Sequence, residues 1–348
     1  MTNRVKIGLL SALPNLSTRI AKRLTCLDVV DLDTCVSDRL AETGLTTSDV
    51  LEISKSERTS RIARQIEGDC SILVGDPDLI APFLYEFKNV KWIQSTWDGV
   101  DAITKFVDHK KPYPTWKLSR FSAFGQHMAE YVLGQIIAME RNFKQSILHQ
   151  MAHEWGNRQE YRLLSNLTLG LLGVGQIGSN VGRVAKTFGM NVLGMVSKEI
   201  PEAQMHPFID EYHFSLQSLP EFLRKCDYIC NSLPQTPKTD NILMNGILEN
   251  CKERKSILVN IGRGNIIREK ELVTALNLKW IGGAILDVFE KEPLPQDSLL
   301  WDMENVFITP HCSGLSFEYE LDDFFANNLK RFMSGESPRD LINWKEGY

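Results

Sequence analysis

The chain reads as an α/β protein of two domains with parallel sheets, and three observations predict it. Short apolar runs of strand length alternate with helix-length amphipathic segments along the sequence. No internal repeat or low-complexity tract breaks that alternation. The 348 residues suffice for two domains of ordinary size.

Taken in order, residues 5–10 open as a strand, because the apolar stretch after Arg4 is too short for a secretory signal. Residues 29–32, 71–74 and 90–95 follow as strands of a first, smaller sheet. Pro112 and Pro114 then break the chain. From about Gly125 an amphipathic helix is expected, with Met128, Tyr131, Val132, Ile136 and Met139 near one face, able to bridge domains or subunits. Beyond Thr168 the alternation is denser. Strands are expected at 168–172, 191–196, 228–233, 256–261, 282–288 and 306–309, with a helix at 269–276. The expected domains are 1–115 with 309–348, and 116–308.

The run Thr168-Leu-Gly-Leu-Leu-Gly-Val-Gly-Gln-Ile-Gly178 is a strand, a glycine turn and the start of a helix that continues through Val181, Val184, Ala185 and Phe188. Gly173 allows a tight turn, Gly175 a close approach of backbone to pyrophosphate, and Gly178 the packing of helix on strand. Gln176 and Ile177 then lie at a helix N-terminus, which favours phosphate charge. This is the pattern of a Rossmann-like nicotinamide site. An acid at the end of the following strand would bond a ribose 2′-hydroxyl, yet from Ser179 to Lys198 there is no Asp or Glu. Ser197 and Lys198 stand there instead, so NADP(H) is expected to be preferred, with NAD(H) possible. Glu199 is the nearest acid that could reverse this.

Three polar residues end strands in the last third of the chain: Arg263, Glu292 and His311. A fixed guanidinium can grip a carboxylate in two prongs. A histidine paired with a carboxylate can give or take a proton. Ligands of open α/β sheets sit beyond the carboxyl ends of strands, where Arg263, Asp287 and His311 all fall. Other groupings are weaker. His149 and His153, four apart on an expected helix, lack a third metal ligand, and Cys226 and Cys230 lack a second pair, so no metal is expected. Cys312 reads as a small neighbour of His311 rather than a nucleophile.

Charge excludes other functions. With a net charge of -5 and no basic patch, neither nucleic acid nor an anionic membrane is an expected partner. Seven cysteines, at 26, 35, 70, 226, 230, 251 and 312, show no disulfide-scaffold spacing, and the cytoplasm is the expected compartment.

Together with Met128-Ala-Glu-Tyr-Val-Leu-Gly134, Trp155-Gly-Asn-Arg-Gln-Glu-Tyr161, Ser232-Leu-Pro-Gln-Thr-Pro-Lys-Thr239 and Glu292-Pro-Leu-Pro-Gln-Asp-Ser-Leu-Leu-Trp301, these features resemble the D-2-hydroxyacid dehydrogenase family. Within it the likeness is to glyoxylate/hydroxypyruvate reductases. The first hundred residues match more loosely, at 91–95 and 99–101. The resemblance implies two Rossmann-like or flavodoxin-like domains with the active site in the cleft between them, and reduction of a small 2-keto acid to the D-2-hydroxy acid. It implies that Arg263 binds the substrate carboxylate, His311 is the general acid, and Glu292 orients His311. Asp287 would bond the nicotinamide carboxamide with help from the main chain at Ile261. Leu233 and Pro234 would line the adenosine end, and the backbone of Asp98 and Gly99 would hold the substrate carboxylate.

A homodimer is expected on the helix from Gly125 and the arm through Trp155, an aromatic that in some relatives enters the partner's site. Formate dehydrogenase fits poorly, because formate offers no alcohol proton for Glu292 and His311 to handle. A phosphoglycerate dehydrogenase with a further regulatory domain fits poorly as well, since one helix follows His311. The competing reading is a dehydrogenase-like nucleotide sensor, such as the corepressors of the same family, with little turnover.

Overall fold

The computed structural model describes residues 5–25, 27–31, 70–156 and 160–347. Leu32, Cys26, Cys35 and Asn157 to Gln159 of the expected arm lie outside them. The chain divides into two compact units, Met1–Ala123 with Ser316–Tyr348, and Phe124–Leu315. The sequence reading placed 309 onward with the first unit. Here Thr309 to Leu315, and with them His311, belong to the second.

The first unit holds a parallel sheet of five strands, β1 Val5–Leu10, β2 Leu27–Asp31, β3 Ile72–Gly75, β4 Trp92–Ser95 and β5 Lys117–Ser119, in the order β2-β1-β3-β4-β5. Every residue of β3 and β4 is buried, as in a sheet covered on both faces. Helix α1, Leu16–Arg23, follows β1, single helical turns stand at Pro77–Ile80 and Asp101–Thr104, and the helix Glu318–Met333 returns to the unit. Trp92 ties that last helix to the sheet: its ring stacks on Phe325 at 5.5 Å between centroids, and its Nε1 donates to Ser119 Oγ at 3.0 Å.

The second unit is a seven-stranded parallel sheet. Its strands are β6 Thr168–Leu172, β7 Asn191–Val196, β8 Glu211–Phe214, β9 Tyr228–Asn231, β10 Ile257–Asn260, β11 Gly283–Leu286 and β12 Val306–Ile308. Their order is β12-β11-β10-β9-β6-β7-β8. The chain runs outward from β6 to β7 and β8, then returns to β9 on the other side of β6. That reversal leaves a crevice beyond the carboxyl ends of β6 and β9, the usual ligand position of such sheets. Strands β5 and β8 were not expected from the sequence. Both lie at sheet edges, are short and carry polar residues, so neither shows an uninterrupted apolar run.

The helix expected from Gly125 is α2, Gly125–Glu140, and Asn142 in the left-handed region (φ 49°) separates it from α3, Phe143–Met151. Helix α2 buries Ala129, Val132, Leu133 and Ile136 in one core with Val181 and Ala185 of α4, Gln176–Thr187. The sequence reading put His149 and His153 on one helix, and only His149 lies on it. Helix α3 ends at Met151, and His153 turns away with φ 58°. Among the described residues the remaining α-helices of this unit are α5 Leu219–Lys225 and α6 Glu269–Asn277. Among the described residues no helix is long and apolar enough to cross a membrane.

Candidate active site

The glycine turn forms where expected. Gly173 follows β6 with φ 93°, a conformation that strains any side chain. A Cβ on Gly178 would lie 2.1 Å from the Gly173 carbonyl oxygen, so α4 reaches the turn only because that carbon is missing. Gly175 differs. Its backbone is extended (φ -76°, ψ -163°) and a Cβ there would meet nothing within 4 Å. Neither conformation nor packing within the chain requires glycine at 175, which fits close approach of a ligand. Helix α4 has no side-chain N-cap and no acid in its first turn, which leaves its positive end, at Gln176 and Ile177, suited to a diphosphate. The residues present therefore fit a nicotinamide dinucleotide.

Leu233 lies against this turn, since a Cβ on Gly173 would come within 3.0 Å of its Cδ2. Thr239 Oγ1 fixes the next residue by donating to the Pro234 carbonyl at 2.6 Å. Two buried asparagines that sequence reasoning missed set these loops. Asn231 and Asn260 end β9 and β10, and Asn231 Nδ2 donates to Asn260 Oδ1 at 2.8 Å. Asn231 Oδ1 then accepts from Leu233 N at 3.2 Å, while Asn260 Nδ2 donates to the Arg263 carbonyl at 3.1 Å. One amide pair thus shapes both the Leu233 loop and the Arg263 loop. The signal in the sequence was a polar residue closing each apolar run, Tyr-Ile-Cys-Asn and Ile-Leu-Val-Asn. Ile261, buried, donates its N–H to the Asn231 carbonyl at 3.2 Å.

Arg263 comes directly after this loop, with Nη1 donating to the Gly262 carbonyl at 2.7 Å. Gly264 follows, and a Cβ there would overlap the Phe289 carbonyl carbon at 1.9 Å. The absent side chain lets the Arg263 loop lie directly on the Phe289 peptide, three residues before Glu292. Arg263 is near enough to stabilise the Glu292 carboxylate and to disfavour charge on His311.

His311 Nδ1 lies 2.7 Å from Glu292 Oε2, and Glu292 Oε1 accepts from Phe289 N at 2.9 Å. Burial alone would raise the Glu292 pKa; its bonds to His311 and the Phe289 N–H outweigh that and hold it below the usual carboxylate range. The Glu292 bond in turn raises the pKa of His311 against the opposing effect of burial. The imidazole is half-exposed, so its second ring nitrogen can meet a substrate oxygen. His311 has φ 51°, a left-handed conformation that costs a non-glycine residue about 1–3 kcal/mol.

Asp287 holds that turn. It is completely buried; Oδ1 accepts from Thr309 Oγ1 at 2.6 Å and Cys312 N at 2.9 Å, and Oδ2 from Ser313 N at 2.9 Å. Its carbonyl accepts from His311 N at 2.9 Å. Beside the ligand amide expected of it from the sequence, Asp287 thus bonds the residues around His311. Cys312 is exposed, but its thiol pKa is raised, first by burial of the sulfur and then by Asp287, the opposite of an activated nucleophile.

Of the remaining expected site residues, Asp98 and Gly99 belong to the first unit, and Ser197, Lys198 and Trp155 to the second. In the first unit, buried Asp76 at the end of β3 accepts from Ser11 Oγ at 2.6 Å and Thr96 Oγ1 at 2.5 Å, fixing the bend that carries Asp98 and Gly99. Asp98 Oδ1 lies 3.6 Å from Arg120 Nη1. In the second unit, Ser197 and Lys198 are exposed just past the end of β7, with Glu199 also exposed. Trp155 is wholly exposed. Glu211, His213 and Glu221 come close enough to hold a metal ion, but the Lys225 ammonium already lies 2.6 Å and 2.9 Å from the two carboxylates.

Comparison with known proteins agrees with this geometry. Residues 133–313 match the family described as D-isomer specific 2-hydroxyacid dehydrogenase, NAD binding domain. A D-isomer specific 2-hydroxyacid dehydrogenase family protein from Aeromonas salmonicida subsp. salmonicida is 30% identical, with 98% of this chain and 100% of that one covered and a TM-score of 0.78. A probable 2-hydroxyacid dehydrogenase from Rhizobium etli, in complex with NADP, HEPES and L(+)-tartaric acid, is 25% identical over 99% of each chain, with a TM-score of 0.75. The NADPH-dependent glyoxylate/hydroxypyruvate reductase of Sinorhizobium meliloti, in complex with NADP and sulfate, shares the fold at 23% identity, covering 99% of this chain and 100% of its own, with a TM-score of 0.75. With its glycine turn, its Arg263, Glu292 and His311 cluster and these matches, the chain belongs to the D-isomer specific 2-hydroxyacid dehydrogenase family.

Proposed function

We propose that this chain reduces a small 2-keto acid, glyoxylate or hydroxypyruvate or a close analogue, to the D-2-hydroxy acid. The observation that carries the reading is the 2.7 Å pairing of His311 with Glu292, in the same unit as Arg263 and the glycine turn. The reduced nicotinamide supplies the hydride. Arg263 grips the substrate carboxylate and polarises the keto oxygen, aided by the backbone N–H groups of Asp98 and Gly99. His311 gives its proton to that oxygen, and Glu292 keeps the imidazole charged and aimed. Gly173, Gly175, Gln176, Ile177 and Gly178 hold the diphosphate, Leu233 and Pro234 the adenosine, and the main chain at Ile261 the nicotinamide side. Asp287 anchors the His311 turn and, with the main chain at Ile261, bonds the nicotinamide carboxamide.

NADPH is the favoured cofactor, because Ser197 and Lys198 can bind a 2′-phosphate where a carboxylate would repel it. The NADP-bound relatives from Rhizobium etli and Sinorhizobium meliloti support that choice, and the second of them supports the substrate class. The chain works in the cytoplasm as a homodimer built on the helical stretch from Gly125, α2 continued by α3, and the arm at Trp155. Helix α3 buries none of its residues while exposing Phe143, Ile147, Leu148 and Met151, an apolar surface of the kind that marks protein contacts.

The test is NADPH oxidation followed with glyoxylate, hydroxypyruvate and pyruvate, with the chirality of a chiral product determined. Turnover to the D-hydroxy acid is expected, and His311→Ala should lower kcat by about 10²- to 10⁴-fold. An unchanged rate in His311→Ala, or an L-product, would sink the reading. Tight NADPH binding without turnover of any keto acid would replace it with the nucleotide-sensor reading.

A further inference from the structure

Beyond the residues that touch substrate, a chain of hydroxyl groups runs from helix α2 to the His311 turn. The Tyr131 hydroxyl lies 2.6 Å from Thr309 Oγ1, which lies 2.6 Å from Asp287 Oδ1. A carboxylate only accepts, so the single hydrogen of the Thr309 hydroxyl points at Asp287. Tyr131 must then be the donor to Thr309. Burial and the neighbouring Asp287 push the Tyr131 pKa up to about 12, so the phenol keeps its hydrogen throughout the physiological range. The direction of the chain is fixed: Tyr131 to Thr309 to Asp287.

Its far end reaches the proton donor. Asp287 gathers Thr309, Cys312 N and Ser313 N on its carboxylate and His311 N on its carbonyl, so both flanks of His311 are bonded to one buried residue. His311 keeps its left-handed backbone, and its 2.7 Å contact with Glu292, only while that turn is held. We propose that Tyr131 and Thr309 are positioning residues for His311, acting through Asp287 to hold the turn that presents the imidazole. Neither belongs to the expected catalytic set, and the inference rests on His311 being the general acid.

The charged and titratable groups acting on His311 are Glu292, Arg263 and Asp287, and those acting on Tyr131 are Asp287 and Cys312. Tyr131→Phe deletes one hydroxyl and leaves every charge in place. A looser turn lengthens the bond to Glu292, and His311 then loses the contact that most raises its proton affinity. A residue that served stability alone would leave that affinity untouched.

Two measurements on the full chain test this. The first is an NMR titration of ¹³C-labelled histidine rings, with His311 assigned by its loss in His311→Gln. The His311 pKa should fall in Tyr131→Phe and in Thr309→Val, and return to the parent value in Thr309→Ser, which keeps the hydroxyl. The second is reductase kinetics. The kcat of Tyr131→Phe should drop roughly 3- to 10-fold, the rate equivalent of one neutral hydrogen bond, while KM for the keto acid stays within about twofold. Its activity should also decline at lower pH than the parent's.

An unchanged His311 titration in Tyr131→Phe would overturn the proposal, as would a rate loss that follows melting temperature alone. If Thr309→Val fails to fold, Tyr131→Phe decides by itself. If the parent reduces no keto acid, the functional reading fails, and the titration still decides whether Tyr131 controls His311.

Discussion

His311 and Glu292 shift each other in opposite senses. The glutamate is held below its ordinary value of 4.5 and the histidine above its ordinary value of 6.5. The proposed reduction needs the imidazole protonated and the carboxylate ionised, so kcat/KM for the keto acid should be flat between the two shifted values. Above the raised histidine pKa the proton is missing; below the lowered glutamate pKa its partner charge is lost. Glu292→Gln removes the group that most raises the histidine, and the alkaline decline should move to lower pH. A pH profile of the parent and Glu292→Gln checks this, and coincident alkaline limbs would separate Glu292 from the proton donor. The same pair adds stability only inside this window, because His311 loses its share as pH rises through the raised value and Glu292 loses its share as pH falls through the lowered one. Both side chains are more than a third exposed, so that contribution is small.

At the scale of elements, the site is a set of strand ends. Helix α4 meets the Gly173 turn after β6, Leu233 follows β9, Arg263 follows β10, Asp287 ends the run through β11, and Thr309 begins the turn after β12. Each strand brings one group because the sheet is parallel and its carboxyl ends all face the same way. Strand β7 adds the end at which the proposed choice of cofactor is made. It stops at Val196, as its apolar run predicts, and leaves Ser197, Lys198 and Glu199 exposed beyond it. Lys198→Ala should reduce kcat/KM for NADPH while leaving that for NADH nearly unchanged, since only the former carries the 2′-phosphate. Comparison of kcat/KM for both cofactors measures it, and a tenfold NADH preference in the parent would show that Glu199, not Lys198, reaches the ribose.

At the scale of the whole molecule, the proposed dimer makes a prediction about α3. Met151 is three-quarters exposed and Ile147 and Leu148 are about half exposed, on a helix with no buried residue. Leu148→Glu with Met151→Glu should yield a monomer by light scattering at micromolar concentration, with secondary structure intact. A parent that is already monomeric would refute the dimer. Unchanged substrate preference in Trp155→Ala would refute only a role for that ring in the partner's pocket. The arm beyond it is fastened locally: Arg162 bonds Glu140 at the end of α2, and Glu140 accepts from the buried Tyr228 hydroxyl at 2.6 Å. The chain that carries Trp155 is therefore held again at Arg162.

The sequence by itself determined the fold class, most strand positions of both sheets, the glycine turn, and the three polar residues at strand ends. Those features are local: apolar runs bounded by turn residues, a glycine spacing and a charged residue closing a run. It did not show the edge strands β5 and β8, which are short and carry polar residues in place of an apolar run. Nor did it show that the helix from Gly125 ends at Glu140, because the left-handed residue just beyond, Asn142, is an asparagine inside an otherwise helical pattern. Only the tertiary structure placed Asn231 beside Asn260, Tyr131 beside Thr309, and Asp287 beneath the His311 turn. These pairs lie 22 to 178 residues apart in sequence, joined through neighbouring strands or a helix crossing the sheet. A hydrogen bond across that distance depends on register and packing, which no local pattern encodes, and so Arg263, Glu292 and His311 were legible as candidates while the groups that hold them were not.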